Sequence, residues 1–125
     1  MEALSTSLQM YLETIYMLDQ SNDAVRVKDI ARSLSVKAPS VHEALHHLDR
    51  SGYIILNHYK PVRLTSRGKD AARKLFGRHK ILSCFFSEVL GVSGSTAETD
   101  ACAVEHCISD ETFNKLIKYM DKVKQ

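Results

Sequence analysis

The chain has no tryptophan, two prolines and three cysteines. An odd number of cysteines without paired spacing argues against a disulfide framework and favours a reducing, cytoplasmic compartment. No apolar run approaches the roughly 20 residues that span a bilayer. No signal peptide opens the chain, so neither a membrane protein nor a secreted one is expected. With 125 residues, 44% of them hydrophobic, the chain is long enough for one ordinary domain or two small modules.

Charge is distributed unevenly, although the net charge is only +2. Between residues 60 and 80 there are eight basic residues and one acid, whereas residues 81–125 contain four lysines and seven acids. This asymmetry predicts that the basic middle of the chain faces an anion and that the acidic C-terminal part faces a cation. The alternative is that these charged residues only form solvent-exposed helix faces and bind no partner.

The first half of the chain carries the pattern of a DNA-binding module. Apolar residues recur with helical spacing over residues 4–18, and two short helices follow in "VRVKDIARSLSV" and "KAPSVHEALHHLDRSG". The second of these begins near Pro39 and ends at Gly52. "YIIL" and "VRLT" then flank the turn-like "NHYKP", which indicates a hairpin. Helix, helix, helix and hairpin in this order predict a winged helix-turn-helix.

The second half is predicted to be helical throughout. A long helix has Thr65 or Ser66 as its N-cap and ends at Gly91. A second helix contains "TDACAVEHCISDE", and a capping box at Ser109 opens the last one. We therefore expect a mainly α protein with two modules. Residues 1–74 form the winged helix-turn-helix domain, and residues 75–125 form a helical metal-binding and dimerisation domain.

In a winged helix-turn-helix, the second helix of the pair enters the major groove and basic residues around it bind phosphates. A protein–protein module is the alternative for this fold. The vicinal His46 and His47 lack nearby carboxylates and are expected to face solvent. The predicted DNA-binding residues are Lys28, Arg32, Lys37, Ala38, Pro39, Ser40, His42, Glu43, Arg50, Lys60 and Arg63.

Four side chains with metal-binding chemistry fall on one face of the helix that contains "TDACAVEHCISDE". At 100° per residue, Glu98, Cys102, Glu105 and His106 lie within about one third of a turn. Thiolate, imidazole and carboxylates together suit a divalent transition metal. An apolar stripe beside them predicts part of the core and the dimer interface, and it comprises Ala97, Ala101, Val104 and Ile108.

One helix cannot complete a coordination sphere, so further ligands must come from other helices. His79 on the long helix and Met10 and Glu13 on the first helix are the candidates. A thiol nucleophile with a histidine base is the catalytic alternative, but no glycine-rich loop is present to build its substrate pocket. Oxidation sensing through Cys102 or Cys107 is a further alternative, although Cys84 and Cys107 are expected to be buried or half-buried thiols.

The chain resembles the diphtheria-toxin-repressor family of metal-dependent regulators, which includes the MntR-type manganese regulators. The residues that carry the resemblance are "MYLETIYML", "VKDIARSLSVKAPSVHEALHHLDRSGYI", "LTSRGKDAARKLFGRHKIL" and "DACAVEHCISDE". The resemblance implies a primary metal site at Met10, Cys102, Glu105 and His106. MntR-like members have aspartate and glutamate in place of Met10 and Cys102, so the resemblance favours Fe(II) over Mn(II).

A second metal site is also implied, with His79, Glu13 and Glu98 as its residues. Ser83 and Glu98 depart from the iron-type pattern, in which a glutamate and a histidine are expected. The SH3-like domain of iron-type members is expected to be absent. The function implied is that of a homodimeric, metal-activated repressor of metal-homeostasis genes, which binds a palindromic operator. We expect no enzymatic activity, no small-molecule substrate and no membrane partner.

Overall fold

The structure is a computed structural model that describes residues 4–21 and 24–123. Its contacts divide the chain into two compact units, one ending at Lys74 and the other beginning at Leu75. The boundary falls inside a helix, α4, which spans Ser66–Cys84.

The first unit contains three helices, α1 (Thr6–Gln20), α2 (Val27–Leu34) and α3 (Ala38–Arg50). Ser5 caps α1, because its hydroxyl oxygen accepts a hydrogen bond from the Leu8 amide at 3.2 Å. The apolar faces of the helices meet in one core. The largest of its fully buried side chains are Leu12, Ile15, Ile30, Leu45 and Leu48.

A two-stranded antiparallel hairpin follows α3. Its strands are β1 (Ile54–Ile55) and β2 (Arg63–Leu64), with Ile54 opposite Leu64. Val62 also forms an isolated antiparallel bridge with Val25, which the sequence pattern did not predict. Helix, helix, helix and hairpin occur in the predicted order, so the winged helix-turn-helix is confirmed.

The start of α4 packs closely against the end of α3 and the hairpin. Thr65 caps α4 as predicted, since its side-chain oxygen accepts a hydrogen bond from the Gly68 amide at 3.0 Å. The same hydroxyl donates to the Gly52 carbonyl at 2.6 Å. A Cβ at Gly68 would overlap the Tyr53 carbonyl, so only glycine fits this approach.

Two residues other than glycine adopt the left-handed conformation within the described residues. Ser35 has φ 55° and ends α2, and Tyr59 has φ 63° in the hairpin loop. This conformation costs an L-residue about 1–2 kcal/mol. Ser35 is a small residue at a helix end, where a left-handed residue is common. Tyr59 is bulky, and its conformation is therefore a genuine outlier.

The second unit contains the rest of α4, a π-helical turn at Phe85–Val89, α5 (Gly94–Val104) and α6 (Asp110–Val123). Its core is built around Leu82, Ala101 and Phe113. The predicted cap at Ser109 is present, because the Thr112 amide donates to its hydroxyl at 3.1 Å. No helix in the described part of the chain is long and apolar enough to cross a membrane.

Two predicted helix ends are corrected by the structure. The long helix was expected to continue to Gly91, but α4 changes to π-helical geometry after Cys84. The helix that contains "TDACAVEHCISDE" ends at Val104, and Glu105 is its C-cap. Residues 105–107 form a turn. Glu105 keeps right-handed helical dihedrals as the C-cap, and its amide still donates to the Ala101 carbonyl, so only His106 lies beyond the helical turn on which the predicted face was based.

Candidate functional site

The helix expected to read bases presents a solvent-exposed N-terminal half. Lys37 is the N-cap of α3, Pro39 lies in its first turn, and Val41 and Leu45 point into the core. This burial fixes the rotation of α3, so that the residues between the buried positions face outward. The exposed ones are Lys37, Ala38, Pro39, Ser40, His42 and Glu43.

The remaining predicted DNA contacts are exposed as well. Lys28 and Arg32 lie on α2, Arg50 ends α3, and Lys60 and Arg63 lie on the hairpin. His46 and His47 face solvent, as expected. Each of these exposed cations can therefore reach a phosphate, and an arrangement of this kind suits a nucleic acid.

The turn after α5 holds a carboxylate and an imidazole side by side. The Glu105 side chain is 1% exposed and that of His106 is 3% exposed. Glu105 Oε1 lies 3.4 Å from His106 Nε2. Ligand atoms that share one transition-metal ion lie about 2.1 Å from it, so they stand no more than ~4.2 Å apart. The Glu105–His106 pair satisfies this limit.

Burial also determines the protonation of His106. Removal of the ring from water lowers the pKa of His106 below its usual value, and the charge of nearby His79 lowers it further. A neutral imidazole has a lone pair available for a metal, whereas an imidazolium has none. At neutral pH, His106 is therefore in the form that can bind an ion.

His79 on α4 lies between two carboxylates. Its Nε2 is 2.7 Å from Glu98 Oε2, and its Nδ1 is 3.6 Å from Glu105 Oε2. Ser83, one turn further along α4, donates a hydrogen bond to Glu98 Oε1 at 2.9 Å. The hydrogen bonds from His79 and Ser83 lower the pKa of Glu98. The structure thus brings together His79, Glu98, Glu105 and His106.

Other predicted ligands are placed as follows. Cys102 is exposed on the last turn of α5. Met10, 42% exposed, and the partly buried Glu13 both lie on α1 in the first unit. Cys84 is half-buried as expected, but Cys107 is exposed, so the prediction that it is a buried or half-buried thiol is wrong.

The predicted dimer stripe lies largely in the core of the single chain. Ala97 and Ala101 have no exposed surface, and Val104 and Ile108 pack against the buried cluster of Leu82, Ala101 and Phe113. Ala97 and Ala101 have no surface left for a partner, and their assignment to the interface needs correction. The apolar face of α5 can be read from the sequence, but the element that covers it cannot.

Arg78 is a residue of this region that the sequence reasoning missed. Its guanidinium donates to the Ile108 carbonyl at 3.0 Å and to the Asp110 carboxylate, and it lies 5.1 Å from the centre of the Phe113 ring. Arg78 therefore connects α4 to the segment between the Glu105–His106 turn and α6. Its position directly before His79 was the only signal available in the sequence.

Comparison with known proteins decides which class of regulator this is. The N-terminal DNA-binding domain of the iron-dependent repressors matches residues 3–62, and their metal-binding and dimerisation domain matches residues 65–125. The chain belongs to the iron-dependent repressor family. The resemblance to the diphtheria-toxin-repressor family is thereby confirmed. Members of this family are transcriptional regulators and not enzymes, which excludes the thiol-nucleophile alternative.

Individual relatives agree with this assignment. An HTH-type transcriptional regulator of Methanocaldococcus jannaschii is 34% identical over 97% of this chain and 98% of its own length. The HTH-type transcriptional regulator MntR of Bacillus subtilis is 33% identical over 93% of this chain and 83% of its own. The protein is therefore a metal-dependent transcriptional repressor of the DtxR/MntR type.

A solved structure of a manganese-dependent transcriptional repressor in complex with manganese is also similar. It is 28% identical, with a TM-score of 0.81, and it covers 91% of this chain. The chain spans about half, 52%, of that protein's length. The donor set in the second unit fits the divalent metal of such regulators, because a carboxylate and a neutral imidazole are buried with donor atoms within bonding range of one ion.

Proposed function

We propose that this protein is a homodimeric repressor of metal-homeostasis genes, which binds a palindromic operator when Fe(II) occupies its primary site. The observation that carries the proposal is the buried Glu105–His106 pair in the turn after α5. Burial of a carboxylate beside an imidazole is costly unless a proton or a cation compensates for it. A divalent ion supplies this compensation, and the lowered pKa of His106 disfavours a proton on its imidazole as the substitute.

The primary site is assigned to Met10, Cys102, Glu105 and His106. Met10 and Cys102 provide soft sulfur ligands, whereas carboxylates and water are the usual ligands of manganese. Both sulfur side chains are exposed, so they are accessible to an incoming ion. This ligand set favours Fe(II) over Mn(II), although the solved relative described above is manganese-dependent. The sulfur ligands favour iron, whereas the solved relative depends on manganese. A comparison of the two metals therefore tests this ligand assignment directly.

A second site is assigned to His79, Glu98 and Glu13. The short His79–Glu98 contact and the lowered pKa of Glu98 support it, because a carboxylate kept ionised next to an imidazole suits a cation. Metal titration of the wild-type protein should then give two equivalents per chain. Glu98→Gln should give one and retain the primary site.

Operator binding is assigned to α3, which carries the base-reading residues, and to cations around it that bind phosphates. A homodimer presents two such helices related by a two-fold axis, so a palindromic site follows from its symmetry. We assign the dimer surface to exposed apolar side chains of the second unit, namely Leu90, Tyr119 and Val123. Tyr119→Glu should therefore convert the dimer to a monomer in light scattering, and Met17→Glu on α1 should not.

The decisive experiment is operator binding under anaerobic conditions with Fe(II), Mn(II), Co(II) or Zn(II), on duplexes selected from a random pool. We expect Fe(II) to promote binding at a lower free concentration than Mn(II), and EDTA to reverse it. If Mn(II) acts at the lower concentration, the iron assignment is wrong. If EDTA has no effect, metal activation is wrong as well.

Two cysteine variants distinguish metal ligation from oxidation sensing. Cys102→Ala should abolish the metal response and leave the fold intact, because Cys102 is exposed on α5. Cys107→Ala is the matched control, since Cys107 is also an exposed cysteine and lies outside the proposed ligand set. A response to thiol oxidants that ignores EDTA and disappears in Cys107→Ala would support the metal-independent regulator instead.

A further inference from the structure

Helix α3 contains the stretch "HEALH" at residues 42–46, which has the H-E-x-x-H spacing of a helical zinc site. In such a site, two histidines one turn apart bind the same ion from one face of the helix. The vicinal His46 and His47 cannot do this, because neighbouring residues of a helix do not face each other. The pair with metal-binding spacing is therefore His42 and His46.

The packing of α3 leaves this pair open to solvent. Val41, Leu45 and Leu48 are buried and fix the rotation of the helix, whereas His42 and His46 are exposed. At 100° per residue, the two histidines lie about 40° apart around the helix. Side chains at this spacing have Cβ atoms about 5–6 Å apart. Both imidazoles can therefore reach one ion, to which each bonds at about 2.1 Å.

A carboxylate extends the same face of α3. Asp49 follows His46 by three residues and is exposed, which corrects the expectation that these histidines lack a nearby carboxylate. Its Oδ1 accepts a hydrogen bond from the Leu56 amide at 3.3 Å, and the interactions of residues 4–21 and 24–123 leave Oδ2 without a partner. The three donors are not gathered around one point, so the exposed side chains rotate when they share an ion.

We propose that His42 and His46 bind a Zn(II), Ni(II) or Cu(II) ion, and that this ion keeps operator DNA away from α3. Asp49 and water complete the coordination. The metal site stands on the geometry of α3 alone, whereas its effect on DNA rests on the proposed operator binding. Zinc proteases use the same spacing with the glutamate as a base, but the family of this chain is not one of enzymes, so only binding is inferred.

The fit of an α-helix in DNA explains why the ion opposes operator binding. The major groove is about 12 Å wide, and an α-helix with its side chains is about 10–12 Å across. The helix therefore fills the groove and leaves no room for a hydrated ion between its outer face and the bases. His42 lies on the part of α3 that is expected to read bases, so an ion on His42 and His46 occupies that space.

The His42–His46 pair also selects different metals from those proposed to activate the protein. Mn(II) and Fe(II) bind nitrogen ligands more weakly than Ni(II), Cu(II) and Zn(II) do. The activating metals therefore leave the pair empty, whereas an excess of the other three fills it. Operator binding should respond to Zn(II) in two phases of opposite sign, and to Mn(II) in one.

The first test is Zn(II) titration of the metal-free protein without DNA, with the imidazole resonances followed by NMR. His46→Gln removes one ligand and keeps an exposed side chain of good helix propensity. It should bind one equivalent fewer than the wild type, with an unchanged melting temperature. The ring resonances of His42 and His46 should shift together as that equivalent binds to the wild type. His42→Gln should lose the same equivalent.

His47→Gln is the matched control. His47 is exposed on the same helix, but it lies about 140° from His42 around the helix axis and cannot share an ion with it. This variant should bind as many equivalents of Zn(II) as the wild type.

The second test is operator affinity in saturating Fe(II) or Mn(II), measured by fluorescence anisotropy with and without added Zn(II). Added Zn(II) should weaken wild-type binding by about tenfold, within the range that is typical of coupled sites. His46→Gln should keep its affinity without Zn(II) and lose the response, since His46 is not among the predicted DNA contacts. His47→Gln should retain the response. Operator DNA should weaken Zn(II) binding to the pair by the same factor.

Two outcomes overturn the inference. Equal zinc stoichiometry of the wild type and His46→Gln would disprove the site. Inhibition by Zn(II) that is absent from the wild type, persists in His46→Gln or disappears equally in His47→Gln would disprove its effect on DNA. Failure of the proposed function is distinguishable from both, because the wild type would then show no operator binding with Fe(II) or Mn(II) before Zn(II) is added.

Discussion

The two ring nitrogens of His79 face different carboxylates, so one side chain connects the exposed Glu98 to the buried Glu105. Groups that contact metal ligands fix the orientation and basicity of those ligands. His79 also lowers the pKa of His106 through its charge. A single imidazole on α4 thus influences all three of the other polar side chains in this cluster.

At the residue scale, the lowered pKa of His106 predicts how the stability of the metal-free protein depends on pH. The pKa of His106 in the folded state lies below its usual value of 6.5. As pH falls through that value, the unfolded chain takes up a proton that the folded protein does not. The free energy of unfolding should therefore decrease as pH falls from 7.5 to 5.5. Thermal unfolding in EDTA measures this decrease.

The variant His106→Gln provides the control, because glutamine does not titrate. Its melting temperature should change less between pH 7.5 and 5.5 than that of the wild type. Glu98 does not confound this window, since its lowered pKa affects stability only at more acidic pH. Parallel curves for wild type and variant would show that His106 is not the group responsible.

At the scale of elements, the segment between α5 and α6 depends on Arg78. The turn after α5 is closed by backbone hydrogen bonds to the Val104 carbonyl from Cys107 at 2.9 Å and Ile108 at 3.0 Å. Arg78 adds a hydrogen bond to the Ile108 carbonyl, and its own side chain is only 13% exposed. The guanidinium thus holds the segment that begins with Glu105 and His106.

Arg78→Ala should lower the free energy of unfolding by about 2 kcal/mol, because a charged hydrogen bond and a cation–π contact are lost together. Urea unfolding of the metal-free protein measures this change. Arg73→Ala is the control, since Arg73 forms a solvent-exposed pair with Asp70 at 3.6 Å. Such pairs contribute less than about 1 kcal/mol. Equal effects of the two variants would contradict the role of Arg78.

At the scale of the whole molecule, the proposed primary ligands come from both units. Met10 belongs to the first unit, and Cys102, Glu105 and His106 belong to the second. Ligation of one ion by both would restrict the unit that carries α3 relative to the unit that carries α6. We propose that this restriction is the means by which metal activates operator binding.

Such coupling is reciprocal by thermodynamic necessity, so operator DNA should tighten metal binding by the factor with which metal tightens DNA binding. Factors of roughly 5–150 are typical. Metal titration calorimetry with and without operator measures the first factor, and anisotropy measures the second. Equal metal affinity in the two titrations would rule out the coupling. Met10→Leu should reduce both factors, because leucine keeps the apolar volume and lacks the sulfur.

Local sequence signals determined the elements. Ser5, Thr65 and Ser109 cap helices through hydrogen bonds to amides three residues ahead, and the apolar spacing of the first three helices defines one buried face for each. These interactions span only a few residues, so they can be read without a structure. The same locality explains why the order of helices and hairpin, and the family, were predictable.

The tertiary structure alone decided how the site is assembled. It ended α5 before Glu105, buried that carboxylate beside His106, placed His79 between two acids, and covered Ala97 and Ala101. It also set Tyr59 in the left-handed region. Each of these outcomes depends on contacts or backbone geometry that no helical wheel contains. Periodicity shows which face of a helix is apolar, but packing determines what covers that face and where the helix ends.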